Sequence, residues 1–131
     1  MTTHFVDSSA WISYFRPGAG KWDARIDALL EDDGIAINGI VRSELLIGTR
    51  SEKEYEQLAQ SLEGLHWLQT DQSFFDRVAR NGFILRRKGI TVPLADLVIA
   101  THCIVHGLVL IHDDQHFPAI AGVLALQLEQ V

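Results

Sequence analysis

Short apolar segments that alternate with longer helical patterns constrain the fold of this chain more than any other feature. The segments that read as strands are residues 4–6, 35–37, 65–68, 108–111 and 123–128. Between them, apolar residues recur every three or four positions, which is the spacing of one helix face. Strands that alternate with helices are typical of an α/β domain, because parallel strands need a crossover to connect them. We therefore predict an α/β fold with a central, largely parallel sheet.

Residues that commonly begin or end helices mark the boundaries of the helical segments. Helices are predicted from residue 8 to a break at 16–20, and over residues 22–30, 39–47, 51–63, 71–88 and 93–106. Asn38 and Ser51 are typical N-cap residues, and Gly48 and Gly107 are typical of helix ends. The polar segment 112–116, which follows the strand 108–111, is interpreted as a turn.

The length of the chain predicts one domain that spans residues 1–131, because domains typically have roughly 100–200 residues. The longest apolar run, residues 107–111, is far shorter than the ~20 residues that cross a bilayer, so we expect no membrane partner. The N-terminus lacks the basic start and apolar stretch of a secretory signal, and Cys103 is the only cysteine. Both features favour a cytoplasmic location, where thiols stay reduced.

Charge is distributed unevenly along a chain whose formal net charge is −6. The negative sign disfavours a polyanionic partner, because nucleic-acid binding depends on Lys and Arg. Nevertheless, five of the eleven basic residues lie within one stretch of twelve: Arg77, Arg80, Arg86, Arg87 and Lys88. This cluster is consistent with a local basic face for nucleic acid. An ordinary solvated helix face explains the same cluster, and by charge alone it is the more common outcome.

Acidic residues follow two of the predicted strands. Asp7 comes directly after the strand 4–6, and Asp113 and Asp114 follow the strand 108–111. Because ligand sites of parallel sheets form at the carboxyl ends of the strands, we expect these acids at one edge of the sheet. Each also has a plain structural explanation, since Asp7 can cap a helix and the other two can form a turn.

Two further acids lie on predicted helices. Glu44 stands in an otherwise apolar helical stretch, where an ion pair with Arg42 or an exposed position would explain it without a function. Asp96 follows Pro93 by three residues, where an acid in the first turn complements the helix dipole. Several carboxylates near an apolar core are costly without a cation. Mg²⁺ and Mn²⁺ prefer such hard oxygen ligands, so a cluster of these acids would favour a divalent metal site.

Four motifs carry a resemblance to a known family. They are Phe5-Val6-Asp7-Ser8-Ser9-Ala10-Trp11-Ile12, Arg42-Ser43-Glu44-Leu45-Leu46-Ile47-Gly48, Pro93-Leu94-Ala95-Asp96-Leu97-Val98-Ile99-Ala100 and Leu110-Ile111-His112-Asp113-Asp114-Gln115-His116-Phe117. In this order and spacing the chain resembles the PIN-domain nucleases, particularly the VapC-type toxins of bacterial toxin–antitoxin pairs. The resemblance implies a small three-layer α/β fold and a metal-dependent endoribonuclease, often dimeric and held inactive by a cognate antitoxin.

The resemblance also assigns roles to residues. The acids that match the family's site are Asp7, Glu44, Asp96 and Asp114. Of these, Asp7, Asp96 and Asp114 are expected to hold one or two Mg²⁺ or Mn²⁺ ions, while Glu44 binds the metal through water or orients the attacking water. Asp113 could share or replace the role of Asp114, because relatives vary in this turn and some have another acid where this chain has His116. Ser8 matches a position that often carries a small hydroxyl residue near the metal.

The partners implied by the resemblance are an RNA substrate, a cognate antitoxin and a second copy of the chain in a homodimer. Arg86, Arg87 and Lys88 are the candidate contacts to RNA. An antitoxin needs a docking surface, and the region 11–22 together with the helix 51–63 offers apolar and charged residues for one. Core packing explains the tryptophans of that region equally well.

Other functions compete with this one. A PIN-domain nuclease that processes RNA without being a toxin has the same site, and a module that binds RNA or protein without catalysis would keep only the fold. His102 and His106 lie four apart on a predicted helix, as zinc ligands do, but a Glu placed as in H-E-x-x-H is missing. A phosphatase that phosphorylates Asp7 usually has a second Asp two residues on, where this chain has Ser9.

Overall fold

The computed structural model describes residues 1–129 and, within them, five strands that form one parallel sheet. The strands are β1 (His4–Val6), β2 (Ile35–Ile37), β3 (His66–Trp67), β4 (Val109–Ile111) and β5 (Gln127–Leu128). Their order across the sheet is β3-β2-β1-β4-β5, and every neighbouring pair is parallel. The predicted α/β fold with a parallel sheet is confirmed.

Seven helices connect or follow the strands in the described part of the chain. They are α1 (Ser8–Phe15), α2 (Asp23–Glu31), α3 (Gly39–Ile47), α4 (Glu52–Leu62), α5 (Gln72–Arg87), α6 (Leu94–His106) and α7 (His116–Ala121). Asn38 and Ser51 accept hydrogen bonds from backbone N–H groups in the first turns of α3 and α4, as N-cap residues do. Gly107 ends α6 with a φ of 65°, a left-handed conformation that glycine adopts without a steric penalty.

The sheet lies in the middle of the molecule. Every residue of β1 and β2 is buried, including Phe5 and Ala36, which have no exposed surface. Strands that are buried on both faces need helices on both sides. The three-layer architecture is therefore confirmed, with the sheet as its middle layer.

Two elements differ from the prediction near the end of the chain. The segment predicted as a turn is followed by a short helix, α7, that was not predicted, and the carboxylate of Asp114 accepts a hydrogen bond from the backbone N–H of its first residue, His116, at 2.8 Å. The last strand is shorter than predicted, because the backbone N–H groups of Val123 and Leu124 bond back to the carbonyl of Ile120.

The strand order places a crevice between β1 and β4. From β1 the chain moves outward in one direction to β2 and β3, and then returns to add β4 and β5 on the other side of β1. Ligands of open α/β sheets bind at this point of reversal, beyond the carboxyl ends of the two central strands. Asp7 follows β1 there, and the segment 112–115 follows β4. Among residues 1–129, no helix is long and apolar enough to cross a membrane.

Candidate functional site

Asp7 lies at the junction of β1 and α1. Its backbone N–H continues the sheet by donating to the carbonyl of Ile111 at 2.9 Å. Its carboxylate caps α1, accepting hydrogen bonds from the backbone N–H of Ser9 at 3.3 Å and from Ser9 Oγ at 2.6 Å. Asp7 is only 4% exposed, and this burial raises the pKa of its carboxyl group. The capping explanation of Asp7 is correct, and it leaves the carboxylate buried beside the crevice.

Glu44 reaches the same region from α3. Ser8 Oγ donates a hydrogen bond to Glu44 Oε1 at 3.2 Å, which connects the start of α1 with α3. Desolvation raises the pKa of Glu44, and the negative charges of Asp7, Asp96 and Asp114 raise it further. The predicted supporting residue Ser8 is therefore a neighbour of this acid.

Arg42 does not pair with Glu44, although the sequence allowed it. Its guanidinium lies 3.3 Å from the carboxylate of Glu63 and donates a hydrogen bond to the carbonyl of Ala59 at 3.4 Å. The ion-pair explanation of Glu44 is wrong, because Arg42 is bound to the end of α4 instead.

Asp96, Asp114 and His116 form the tightest group of potential metal ligands in the described residues. One ligand atom from each lies within 4.8 Å of the others. His116 Nδ1 donates to Asp96 Oδ2 at 2.8 Å and lies 3.1 Å from Asp114 Oδ1. Desolvation raises the pKa of Asp96 despite this hydrogen bond, and the charges of Asp114 and Asp7 raise it as well.

Asp113 has different neighbours from Asp114. Its carboxylate accepts a hydrogen bond from Trp22 Nε1 at 3.2 Å and lies 3.5 Å from Lys21 Nζ. The negative charge of Asp114 raises the pKa values of Asp7, Glu44 and Asp96, and the charge of Asp113 raises none of the three. The geometry therefore groups Asp114, rather than Asp113, with the other acids.

The sequence analysis assigned two residues of this region no part in the site. Ser9 Oγ donates to Asp7 and accepts a hydrogen bond from the backbone N–H of Asp113 at 3.0 Å, so it joins the segments after β1 and β4. His116 was noted only as a replacement for an acid found in some relatives. Its position two residues after Asp114 could have indicated a role in the site, because histidine is a common metal ligand.

The four acids come from four separate parts of the chain and meet at the carboxyl edge of the sheet. Asp96 and Asp114 are in the tight group, and Asp7 and Glu44 lie outside it. The charge of Asp7 raises the pKa of Asp96, and the charges of Asp96 and Asp114 raise the pKa of Glu44. The donor set is rich in carboxylate oxygens, which suits Mg²⁺ or Mn²⁺ better than a softer metal. Burial raises the pKa values of Asp7, Glu44 and Asp96, and the negative charges of neighbouring acids raise them further.

A sequence model of the PIN domain matches residues 4–123, which is most of the chain. The chain belongs to the PIN domain family. Among curated PIN-domain relatives, ribonuclease VapC11 of Mycobacterium tuberculosis is 31% identical over 126 residues, covering 93% of this chain and 94% of that protein. Ribonuclease VapC18 of the same organism is 32% identical over 123 residues, covering 90% of this chain and 87% of that protein.

A solved structure supports the PIN fold independently. VapBC2 from Rickettsia felis, determined with a DNA fragment from the promoter, contains a chain that superposes with a TM-score of 0.79. The two chains are 20% identical, and the match covers 98% of each. The three-layer PIN fold implied by the resemblance is thereby confirmed.

The remaining candidate residues of this PIN domain do not belong to the group of potential metal ligands. Arg86 and Arg87 occupy the last turn of α5, Lys88 follows them as its C-cap, and all three are exposed. His102 is fully buried, where its Nδ1 accepts a hydrogen bond from the Asn38 side chain and its Nε2 donates to the carbonyl of Gln69. With both ring nitrogens engaged, His102 is not placed to bind zinc with His106.

Proposed function

We propose that this PIN domain is a metal-dependent endoribonuclease that acts as the toxin of a toxin–antitoxin pair. The observation that carries the proposal is the convergence of four carboxylates at the point where the strand order reverses. The names of the relatives VapC11 and VapC18, both ribonucleases, support RNA as the substrate. Their full-length similarity supports the same role for the whole described chain.

We assign metal binding to Asp7, Asp96 and Asp114. Their oxygens would hold Mg²⁺ or Mn²⁺, with His116 beside them as a nitrogen ligand or as the group that orients Asp96. When bound, the ion activates water and stabilises the charge that develops on the phosphodiester. Glu44, which faces the group from α3, binds and orients the attacking water. Asp113 takes no part, because Lys21 and Trp22 hold it elsewhere.

The products distinguish this chemistry from the alternative used by metal-free ribonucleases. Water that attacks phosphorus in line breaks the bond between phosphorus and the 3′ oxygen. One fragment then ends in a 3′-hydroxyl, and the other carries the phosphate on its 5′ end. Attack by the 2′-hydroxyl of the RNA would instead leave a 2′,3′-cyclic phosphate. The proposed site provides oxygens for a metal and a carboxylate beside the water, which favours the first route.

The experiment that tests this activity is incubation of the purified protein with total RNA, followed by sequencing of the new ends. We expect cleavage in Mg²⁺ or Mn²⁺, 5′-phosphate ends, no cleavage in a chelator, and none by Asp7→Asn. Asparagine retains the capping ability of Asp7 and removes its charge, so the variant tests the charge rather than the fold. Cyclic phosphate ends, or full activity of the variant, would contradict the proposal.

A groove beside Glu44 supports the antitoxin partner. It has a volume of about 520 Å³, and its walls include Ile12 and Phe15 of α1 and Leu58 of α4. It therefore lies between the two segments that the sequence analysis named as a docking surface. Trp11 and Trp22 are buried in the core and do not form it. An antitoxin segment that filled this groove would cover the approach to Glu44 and so block RNA.

The toxin role has its own test, which is independent of the cleavage assay. Expression of the chain in a bacterial host should arrest growth, Asp7→Asn should not, and co-expression of the protein encoded beside it should restore growth. Cleavage of RNA without growth arrest would instead support an RNA-processing nuclease, and RNA binding that is insensitive to a chelator and yields no cleavage would support a non-catalytic module.

We further propose a homodimer in the cytoplasm, where the RNA substrate is found. Ile47 on α3 is a large apolar residue that is 82% exposed, which is unfavourable unless a second surface covers it. Sedimentation of the purified protein tests the dimer, and Ile47→Glu should convert it to a monomer.

A further inference from the structure

The basic residues of α5 are not neutralised by neighbouring acids. They are Arg77, Arg80, Arg86, Arg87 and Lys88. Within residues 1–129, no carboxylate oxygen lies within 4.0 Å of their charged nitrogens, whereas Lys21, Arg25 and Arg42 each have such a partner. Five positive charges within twelve residues thus have no ion-pair partner in the described part of a chain with an excess of acids. Unpaired positive charges concentrated in this way attract polyanions.

An exposed aromatic ring orders two of these charges. The guanidinium groups of Arg80 and Arg87 lie 5.5 Å and 5.8 Å from the centroid of the Phe83 ring, which is 54% exposed. The three residues are three and four positions apart, so they share one face of α5. A ring holds a guanidinium without cancelling its charge, unlike a carboxylate. The two like charges beside one ring repel each other, and a bound anion relieves that repulsion. These residues are called here the Arg80–Phe83–Arg87 surface.

A groove begins beside Phe83 of this surface. It has a volume of about 400 Å³ and runs between α5 and the start of α6, with Phe83 and Arg86 on one wall. Leu94 forms part of the other wall and is 68% exposed. Asp96 lies only two residues beyond Leu94, in the first turn of α6. A chain bound along the groove would therefore run from the Arg80–Phe83–Arg87 surface to the start of α6, the helix that carries Asp96.

We propose that the Arg80–Phe83–Arg87 surface binds a single-stranded segment of the substrate RNA outside the acidic site. The two guanidinium groups bind backbone phosphates, and the exposed ring stacks on a base, which is available only in single-stranded RNA. The proposal rests on the ribonuclease function proposed above. It also answers a physical difficulty of that function, because a cluster of acids repels the phosphates that must reach it and nearby cations offset the repulsion.

The test measures RNA binding and cleavage separately. Binding is followed by the fluorescence anisotropy of a short labelled single-stranded RNA of mixed sequence, in Mg²⁺ and on the Asp7→Asn background. We expect Arg80→Gln/Arg87→Gln to weaken binding about tenfold and to reduce the slope of log K against log salt by about 1.4, because each phosphate contact contributes about 0.7 in single strands. Phe83→Leu, which keeps an apolar side chain, should weaken binding about fivefold through the lost stacking.

A matched control removes one positive charge elsewhere. Lys53 is exposed on α4 and, within the described residues, has no ion-pair partner. Lys53→Gln should therefore bind RNA as the parent does, whereas Arg80→Gln alone should bind more weakly. Cleavage is measured in proteins that retain Asp7. There the substitutions in α5 should raise KM for RNA cleavage and leave kcat unchanged, because they remove binding away from the reacting phosphate.

The outcomes separate this proposal from the proposed function. Unchanged RNA affinity of Arg80→Gln/Arg87→Gln in a protein that still cleaves RNA would overturn the proposal alone. Weakened binding by the same variant in a protein that never cleaves RNA would support the surface and reject the nuclease. If the substitutions change the oligomeric state seen in sedimentation, with or without a change in RNA affinity, the surface contacts another protein chain and the proposal is wrong.

Discussion

Asp113 and Asp114 are adjacent in the chain, but their carboxylates have different electrostatic surroundings. Asp113 lies beside Lys21 and Trp22, whereas Asp114 lies beside His116 and Asp96. In a turn, successive side chains point towards different parts of the molecule, so adjacency in the sequence does not imply a shared role. The two residues therefore form a matched pair for substitution, in which the same charge is removed at neighbouring positions.

Asp114→Asn should lower kcat/KM for RNA cleavage at least about 100-fold, because it removes a metal ligand of the proposed site. Asp113→Asn should stay within about threefold of the parent, since surface ion pairs of this kind contribute little. Both constants are measured under single-turnover conditions in Mg²⁺. Equal losses in the two variants would show that the turn as a whole, and not the carboxylate of Asp114, is what the activity needs.

His102 provides a prediction about stability rather than activity. It is buried against Phe74, with the ring centroids 4.0 Å apart, and desolvation lowers its pKa from the ordinary value. In the unfolded chain the same group binds a proton below a pH of about 6.5. The unfolded state therefore binds more protons than the folded state in this range, and the free energy of unfolding falls as the pH drops below about 6.5.

We expect the free energy of unfolding in urea to fall between pH 7.5 and 5.5, with a contribution from His102 of up to about 1.4 kcal/mol per pH unit. His102→Gln is the matched variant, because an amide can accept from Asn38 and donate to Gln69 but does not titrate in this range. The variant should show a shallower dependence on pH. The same steep dependence in both proteins would assign the effect to other groups.

At the scale of elements, Ser9 joins two segments that the sequence separates by about a hundred residues. Its hydroxyl bonds to Asp7 at the start of α1 and to the backbone N–H of Asp113 after β4. The carboxyl ends of β1 and β4 are therefore held together by a side chain as well as by the sheet. This fixes the distance between the acids that the two strands deliver.

Ser9→Ala should lower the free energy of unfolding by about 1–3 kcal/mol, because it leaves a partly buried carboxylate and a backbone N–H without this partner. It should also reduce RNA cleavage, since Asp7 and the β4–α7 segment lose their common anchor. Ser9→Thr keeps the hydroxyl and serves as the control. Urea unfolding and RNA cleavage are measured on the same preparations, and a variant that is destabilised but fully active would remove Ser9 from the positioning of the site.

The sequence predicts the elements better than it predicts the contacts between them. Asp7 and Asp114 could be placed at one edge of the sheet because each closely follows a strand of a parallel sheet. Glu44 and Asp96 are on helices, where no such rule applies, and only the family resemblance assigned them. The bridge through Ser9 and the bond from His116 to Asp96 depend on tertiary packing. α7 was missed because its 6 residues are too few to show a helical apolar pattern.

At the scale of the whole molecule, the site exists only when the sheet is complete. The acids come from residues 7, 44, 96 and 114, and they meet because β4 returns to the side of β1. Folding therefore brings negative charges together that are far apart in the unfolded chain. The raised pKa values of Asp7, Glu44 and Asp96 follow from this gathering, after the larger effect of burial. A cation that binds the folded state alone would compensate for it.

We expect Mg²⁺ or Mn²⁺ to raise the melting temperature by about 5 °C or more at concentrations well above the dissociation constant, because a ligand that binds only the folded state stabilises it by mass action. Asp96→Asn should abolish this shift. In a chelator, the same variant should melt no lower than the parent, because it removes one of the mutually repelling charges. Asp113→Asn should keep the full shift. Calorimetry of the three proteins measures the effect, and an equal shift in all three would mean that the metal stabilises the molecule from some other site.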